Sequence, residues 1–342
     1  MNYSNIYLFY PTSKALEHAI TQAIGLFGDE LVEAAAPDTS VTVVDKFRQT
    51  RGNYEQHRYS SNIFASAGEA LEVLLTDDYR AQQPLAWAQT QNSLGNILAA
   101  QGQQQREAEM FGKAIQCFNH ALEAFSQEEY PREWAATQYN LATAKQALGR
   151  QQGDVKLLKS STEGYTNALL QWSRKETPEE WARAMHQLGA TFHTYGSLLK
   201  GNRTFQKSVV AYKNALAVFD ADNHAFELAA THNNCGAVLH HLAESEENLE
   251  RLEEAIRSYE TALTICMEQQ LPIHLAVLCK VNRSTARGVQ AEFAKDAVLA
   301  EEVADEFELI MECFPHALQP LCLKHCKEQM NKARSLSSAV SA

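Results

Sequence analysis

The chain has 342 residues, a formal charge of −12 and 45% apolar side chains. That length exceeds one ordinary compact core and predicts two domains or an elongated repeat array, while the negative charge argues against nucleic-acid phosphate as a partner. No apolar run nears the ~20 residues a membrane span needs, so no membrane association is expected.

The amino-terminal stretch MNYSNIYLFYPTSK has no basic region and too short an apolar run for a secretory signal, so a cytoplasmic location is expected. Residues 5–10 and 40–45 have strand composition, 15–36 form an amphipathic pattern, and 65–75 look like the second helix of a degenerate repeat. Two strands alone are not stable, so residues 1–83 are taken as a degenerate capping region rather than a separate α/β domain.

From residue 84 onward the sequence repeats. Trp87, Trp134, Trp181, Leu228 and Leu275 stand 47 residues apart, each followed by Ala. Pro84, Pro131, Pro178 and Pro272 precede by three, and Leu94, Leu141, Leu188, Cys235 and Asn282 follow by seven. Gly95, Ala142, Gly189 and Gly236 come next, and Phe118, Tyr165, Tyr212 and Tyr259 keep the same 47-residue interval with Ala three places on. Each copy predicts two helices. Pro suits a first helical turn, where its missing N–H costs nothing, and Thr177 before Pro178 looks like an N-cap. Apolar residues at 3–4 spacing, such as Leu252, Ala255, Ile256, Tyr259 and Ala262, mark the second helix. Neither helix buries its apolar face alone, so neighbours must stack. The fold class expected is all-α: five 47-residue helix pairs over 84–314, a capping helix over 315–334 and a disordered tail over 335–342.

Leu-Gly on the first helix, followed by aromatic-x-x-Ala on the second, resembles the tetratricopeptide repeat (TPR). That repeat is normally about 34 residues long, so both helices must be lengthened here. The form W-A-x-x-Q-x-x-L-G is similar to the long bacterial variety found beside caspase-like CHAT protease modules. The resemblance implies a right-handed α-solenoid with first helices on the concave side, and a protein-binding role.

The fourteen positions from each Trp or Leu make 70 first-helix residues with no Asp or Glu, yet they include Lys145, Arg183, Lys280, Arg283 and Arg287. A cationic lining inside an acidic shell would draw in an acidic segment. By the family pattern the groove-facing side chains are Asn92, Asn96, Tyr139, Asn140, Gln146, Arg183, His186, Gln187, His193, Asn233, Asn234, His240, Lys280 and Arg287. Amides pair with a peptide backbone, and Lys or Arg takes a carboxylate. The expected ligand is thus an acidic or amide-rich polypeptide segment.

Seven scattered Cys read as reduced thiols. Cys313, His316, Cys322, His325 and Cys326 have zinc-ligand chemistry, but Cys322 and Cys326 also have the spacing of a buried helical stripe, and the stripe is the reading adopted. No metal or cofactor is expected. No phosphate-binding loop, zinc-protease or nucleophile-elbow motif is present, so the chain reads as a non-catalytic adaptor. The alternative is a regulatory or sensor subunit whose residues 1–83 engage a separate effector enzyme or transcription factor. Oligomeric state is not legible.

Overall fold

The computed structural model describes residues 61–199, 201–316, 318 and 320–341, and the strand-like segments and the amphipathic stretch of the first 60 residues lie outside them. Among the described residues the protein is all-α. The helices are α1 (Ser61–Leu74), α2 (Asp77–Gln82), α3 (Pro84–Gln105), α4 (Ala108–Ala121), α5 (Pro131–Gln152), α6 (Val155–Ala168), α7 (Pro178–Leu199), α8 (Asn202–Leu216), α9 (Ala225–Glu246), α10 (Leu249–Glu268), α11 (Ile273–Ala294), α12 (Ala297–Cys313) and α13 (Pro320–Ser341). They fall into two compact units divided after Thr177.

In the first unit α3 packs on α4, α4 on α5 and α5 on α6, with α1 against α3. Helix α1 begins 47 residues before α4 and has the same 14-residue length, and its Leu71 is fully buried among Leu94, Ile97 and Phe118. In the second unit α7 to α13 continue the same sequential packing, and α9 also touches α7 and α11. Every first helix, and α13 as well, is 22 residues long.

Local chemistry explains the breaks. Pro84, Pro131 and Pro178 open their helices. The first helices α3, α5, α9 and α11 end on left-handed residues, namely Arg106, Gly153, Glu247 and Lys295. In each, the next N–H reaches back five residues, from Glu107 to Gly102 O, Asp154 to Gly149 O, Asn248 to Ala243 O and Asp296 to Ala291 O, which is a Schellman ending. Asp154, Asn248 and Asp296 then cap the second helices through their side-chain oxygens. Thr177, expected to cap α7, turns its hydroxyl to Ser173 instead.

The helix pairs are locked at one point. A Cβ placed on Gly95, Gly189 or Gly236 would lie 2.6, 2.7 or 2.9 Å from the ring of Phe118, Tyr212 or Tyr259. In the second pair the small residue changes sides. Ala142 stands on the first helix and Gly164 on the second, where an added Cβ would come within 2.9 Å of the Ala142 methyl. Within each unit the large residue near the start of a first helix closes the pair before it. Trp134 packs on the cluster of Trp87, Ala88, Ala121 and Phe125, and Leu228 on that of Ala182, Ala215 and Phe219.

Two expectations change. The fifth copy does not keep the 47-residue step: its helices start at Ile273 and Ala297, 48 residues after Ala225 and Leu249, so its register is one residue longer. Phe307, fully buried, holds the aromatic place, and Ser284 the small one. The carboxy-terminal segment is helical to Ser341 rather than a tail from 335, with Ser335 and Ser338 hydroxyls donating to the Asn331 and Arg334 carbonyls one turn back.

Candidate functional site

Within each unit successive first helices touch one another, α3 on α5, α7 on α9 and α9 on α11, and so form a continuous layer. Across the fourteen positions that lack Asp and Glu, every side chain is buried or half-buried. The layer is therefore more closed than an open groove of solvated side chains, and several of its polar groups bind neighbouring helices together.

In the first unit Asn140 Nδ2 donates to Asn92 Oδ1 at 3.2 Å, joining α5 to α3. Asn96 is buried on α3, and its Oδ1 has no hydrogen-bond partner. Tyr139 is a core residue, edge-on to Tyr165 at 5.4 Å and tilted on Trp172 at 5.3 Å. Gln146 Oε1 accepts from the Tyr165 hydroxyl at 2.9 Å, and burial pushes that phenol well above its ordinary pKa. Lys145 donates to Ser160 Oγ at 3.0 Å, and partial burial lowers its pKa against the pull of Glu163.

In the second unit the lacing is denser. His186 is fully buried, with Nδ1 2.7 Å from Thr231 Oγ1. The Thr231 hydroxyl donates to the Glu227 carbonyl at 2.5 Å, so His186 Nδ1–H must be the donor to Thr231. Asn282 Nδ2 donates to Asn233 Oδ1 at 2.8 Å, and Asn233 Nδ2 to Asn234 Oδ1 at 3.2 Å, which ties α11 to α9. Gln187 is buried in α7. His193 is fully buried, edge-on to Phe205 at 5.7 Å and His241 at 5.2 Å, with neither ring nitrogen hydrogen-bonded. His240 is half-buried, with Nε2 4.0 Å from Glu244 Oε2. Burial holds His186 and His193 down to about 3, and His240 to about 4, so all three are neutral near pH 7.

The cationic lining read from the sequence is largely neutralised. Arg183 pairs with Glu179 at 3.5 Å. Arg283 and Arg287 both meet Glu306, and Arg287 also meets Glu302 at 2.8 Å. The cause is the extra residue before α11. One residue rotates a helix by roughly 100°, which carries Arg287 from the place of His240 toward the carboxylates of α12. Lys280 lies 6.0 Å over the Phe314 ring. Thr231 and Asn282 were missed as lacing partners. For Asn282 the signal was an amide before the small-residue position in α5, α7 and α9, at Asn140, Gln187 and Asn234, visible in α11 only with a 48-residue step.

The zinc set does not assemble. Among the described residues no three His, Cys, Asp or Glu side chains converge as metal ligands. Cys322 and Cys326 sit one turn apart in the core, sharing a thiol–thiol hydrogen bond that raises Cys326 and lowers Cys322. Cys313 is exposed, and His325 Nε2 is 3.1 Å from Thr285 Oγ1. No helix of the described residues is long and apolar enough to cross a membrane.

Residues 87–128, covering α3, α4 and the joint after them, match the family model of the tetratricopeptide repeat. This helix pair is a tetratricopeptide repeat. The pairs that follow repeat its 22-residue first helix, and Gly189 and Gly236 repeat its small-against-aromatic contact, so the helix-pair architecture recurs along the described chain. Among solved structures, the chain is similar to BtubC (BKLC) from P. vanneervenii at 18% identity, covering 82% of this chain and 91% of that one with a TM-score of 0.48. No curated protein matches the sequence.

Proposed function

We propose that this chain is a non-catalytic protein–protein interaction scaffold that holds an extended polypeptide segment against its first-helix layer. The observation that carries the reading is the tetratricopeptide repeat at 87–128, a module whose ordinary role is protein binding, with its helix pair repeated in both units. The lacing of adjacent first helices supports it further, because a laced layer is preorganised and loses little freedom when a segment lies on it. Asn92, Gln138, Asn140 and His232 are half-buried polar side chains of that layer. They favour an amide-rich or polar segment. An acidic one has less support than the sequence suggested, since Arg183, Arg283 and Arg287 already face carboxylates.

Site-specific photo-cross-linking tests the reading. A photoreactive side chain at Gln138 or His232, on first helices, should capture a protein from cell extract. The same group at Lys159 or Val210, exposed on second helices, should not. Capture only from the second-helix positions would overturn it.

A further inference from the structure

Cys266 lies in the last turn of α10 and Cys279 stands on α11, and both are buried in one cluster with Ala262, Ile265 and Leu275. Their thiols share a hydrogen bond across the two helices. The array departs from its own pattern at both places. In the helix pairs from α3 onward, the place seventeen residues after the start of the second helix carries an aromatic, at Phe125, Trp172, Phe219 and Phe314, where α10 has Cys266. The place six residues after the start of the first helix carries Thr90, Thr137, Ala184 and Thr231, where α11 has Cys279. Two facing positions have become thiols at a single joint, the one where the chain takes its extra residue and Gln270 turns left-handed.

A disulfide needs its Cβ atoms about 3.5–4.5 Å apart, and two side chains that meet from separate helices reach that spacing by a small shift. Cys322 and Cys326 share a thiol–thiol hydrogen bond too, but they lie side by side on α13, where Cβ atoms one turn apart are held at roughly 5–6 Å. The joint of α10 and α11 is the one suited to closure. Its two thiols are also unequal. The Cys279 thiol donates to Cys266, which holds Cys266 below the ordinary thiol range and raises Cys279. Cys266 is the outer member, followed by exposed Met267, Glu268, Gln269 and Gln270, whereas Cys279 is fully buried within α11. Fraying of the last turn of α10 opens Cys266 to a small oxidant.

We infer that Cys266 and Cys279 form a redox-sensitive staple that hydrogen peroxide closes. The Cys266 thiolate attacks one peroxide oxygen, the O–O bond breaks, and the hydroxide released takes up the Cys266 proton as water, leaving a sulfenic acid. The Cys279 thiol then attacks that sulfur, the S–O bond breaks, and the leaving hydroxide takes the Cys279 proton as a second water. Two thiols are oxidised to one disulfide, and one peroxide is reduced to two waters. The new bond closes a loop of 14 residues, from 266 to 279, and fastens the end of α10 to α11. It needs no bound segment and stands apart from the scaffold reading.

Treatment of the full chain with excess hydrogen peroxide tests it, followed by alkylation in denaturant, cleavage at Glu268 between the two cysteines and mass spectrometry. A Cys313→Ser background removes the exposed thiol and with it cross-links between chains. The expected result is one disulfide joining Cys266 to Cys279, with Cys322 and Cys326 still alkylated. The unit that holds the link should melt roughly 5 °C or more higher, and dithiothreitol should return it to its starting value. Cys322→Ala should keep the link, while Cys266→Ser should lose the rise in melting and leave Cys279 alkylated. Alkylation of both Cys266 and Cys279 after peroxide, a link from either to another cysteine, or a sulfinic acid at Cys266 beside a free Cys279 would overturn the staple.

Discussion

Tyr259 and Phe307 hold the same place in successive repeats, ten residues into α10 and α12, although they stand 48 residues apart where every earlier interval is 47. Both rings are fully buried. The extra residue is absorbed where α10 runs on to Glu268 and closes through Gln270, which is left-handed at φ 50°. The Leu271 N–H reaches back to Cys266 O at 2.9 Å, another Schellman ending, and the Leu271 side chain packs on the cluster of Ala262, Ile265 and Cys266.

A left-handed residue with a Cβ is strained, so Gln270 is a place where stability can be gained. Gln270→Gly should raise it by roughly 0.5–1 kcal/mol, or about 2 °C in the melting of this unit. Gln270→Val should lower it by about 1–2 kcal/mol, since a β-branched side chain tolerates that conformation least. Differential scanning calorimetry reads both. A Gly variant that melts lower than the parent would show that the turn is not left-handed in solution.

The second prediction concerns Ala142 and Gly164, which share one small-residue requirement between two helices. Gly164→Ala pushes a methyl to 2.9 Å from the Ala142 methyl and should cost about 1–3 kcal/mol by overpacking. Ala142→Gly alone should cost about 1 kcal/mol, the helix penalty of Gly. The double variant restores a small residue to the side where Gly95, Gly189 and Gly236 carry it, so the two changes should couple favourably by about 1 kcal/mol or more. A double-mutant cycle from chemical unfolding measures this directly. Additive losses would mean that α5 and α6 approach one another less closely than the structure has them.

Much of this was legible in the sequence because repetition multiplies a weak signal. Pro at the start of a first helix, a small residue eight positions after each Trp, and an aromatic on the second helix marked the helix pairs, while the contact between the small residue and the aromatic emerged only from the structure. The fifth register was not legible. Leu275 and Ala276 keep the 47-residue spelling of the repeat, and only the backbone at Gln270 shows that the helix has turned past it. The same slip misplaced Arg287, whose guanidinium meets Glu302 and Glu306 rather than a ligand. The amides were correctly located on first helices, but residue type does not reveal whether an Asn will face a peptide or another Asn. Asn92 and Asn140 face each other, and Asn233 is held by Asn282.

The last prediction follows from the buried histidines of residues 178–341. His186 and His193 have pKa values near 3 in the folded chain, because burial penalises the imidazolium, against 6.5 for a free side chain. His193 faces Phe205 and His241, the latter also opposing its charging, and among the described residues no carboxylate is set against it to offset the cost. His186 faces Tyr212 and Thr231, neither of them charged near neutral pH. Protons therefore bind the unfolded chain first. The contribution of these two groups is complete above pH 6.5 and is lost as pH falls from 6.5 toward 3, by roughly 2–3 kcal/mol each at pH 4.5. In the first unit the described histidine is His120, which is exposed rather than buried. Hydrogen exchange at pH 7 and 4.5, corrected for intrinsic rates, should show protection falling in 178–341 before 61–177. His193→Phe sharpens the test. It keeps the aromatic contacts and gives up no hydrogen bond, so stability at pH 7 should hold while the acid midpoint moves lower. A variant that leaves the acid midpoint in place would mean that groups other than His193 govern the acid sensitivity of this unit.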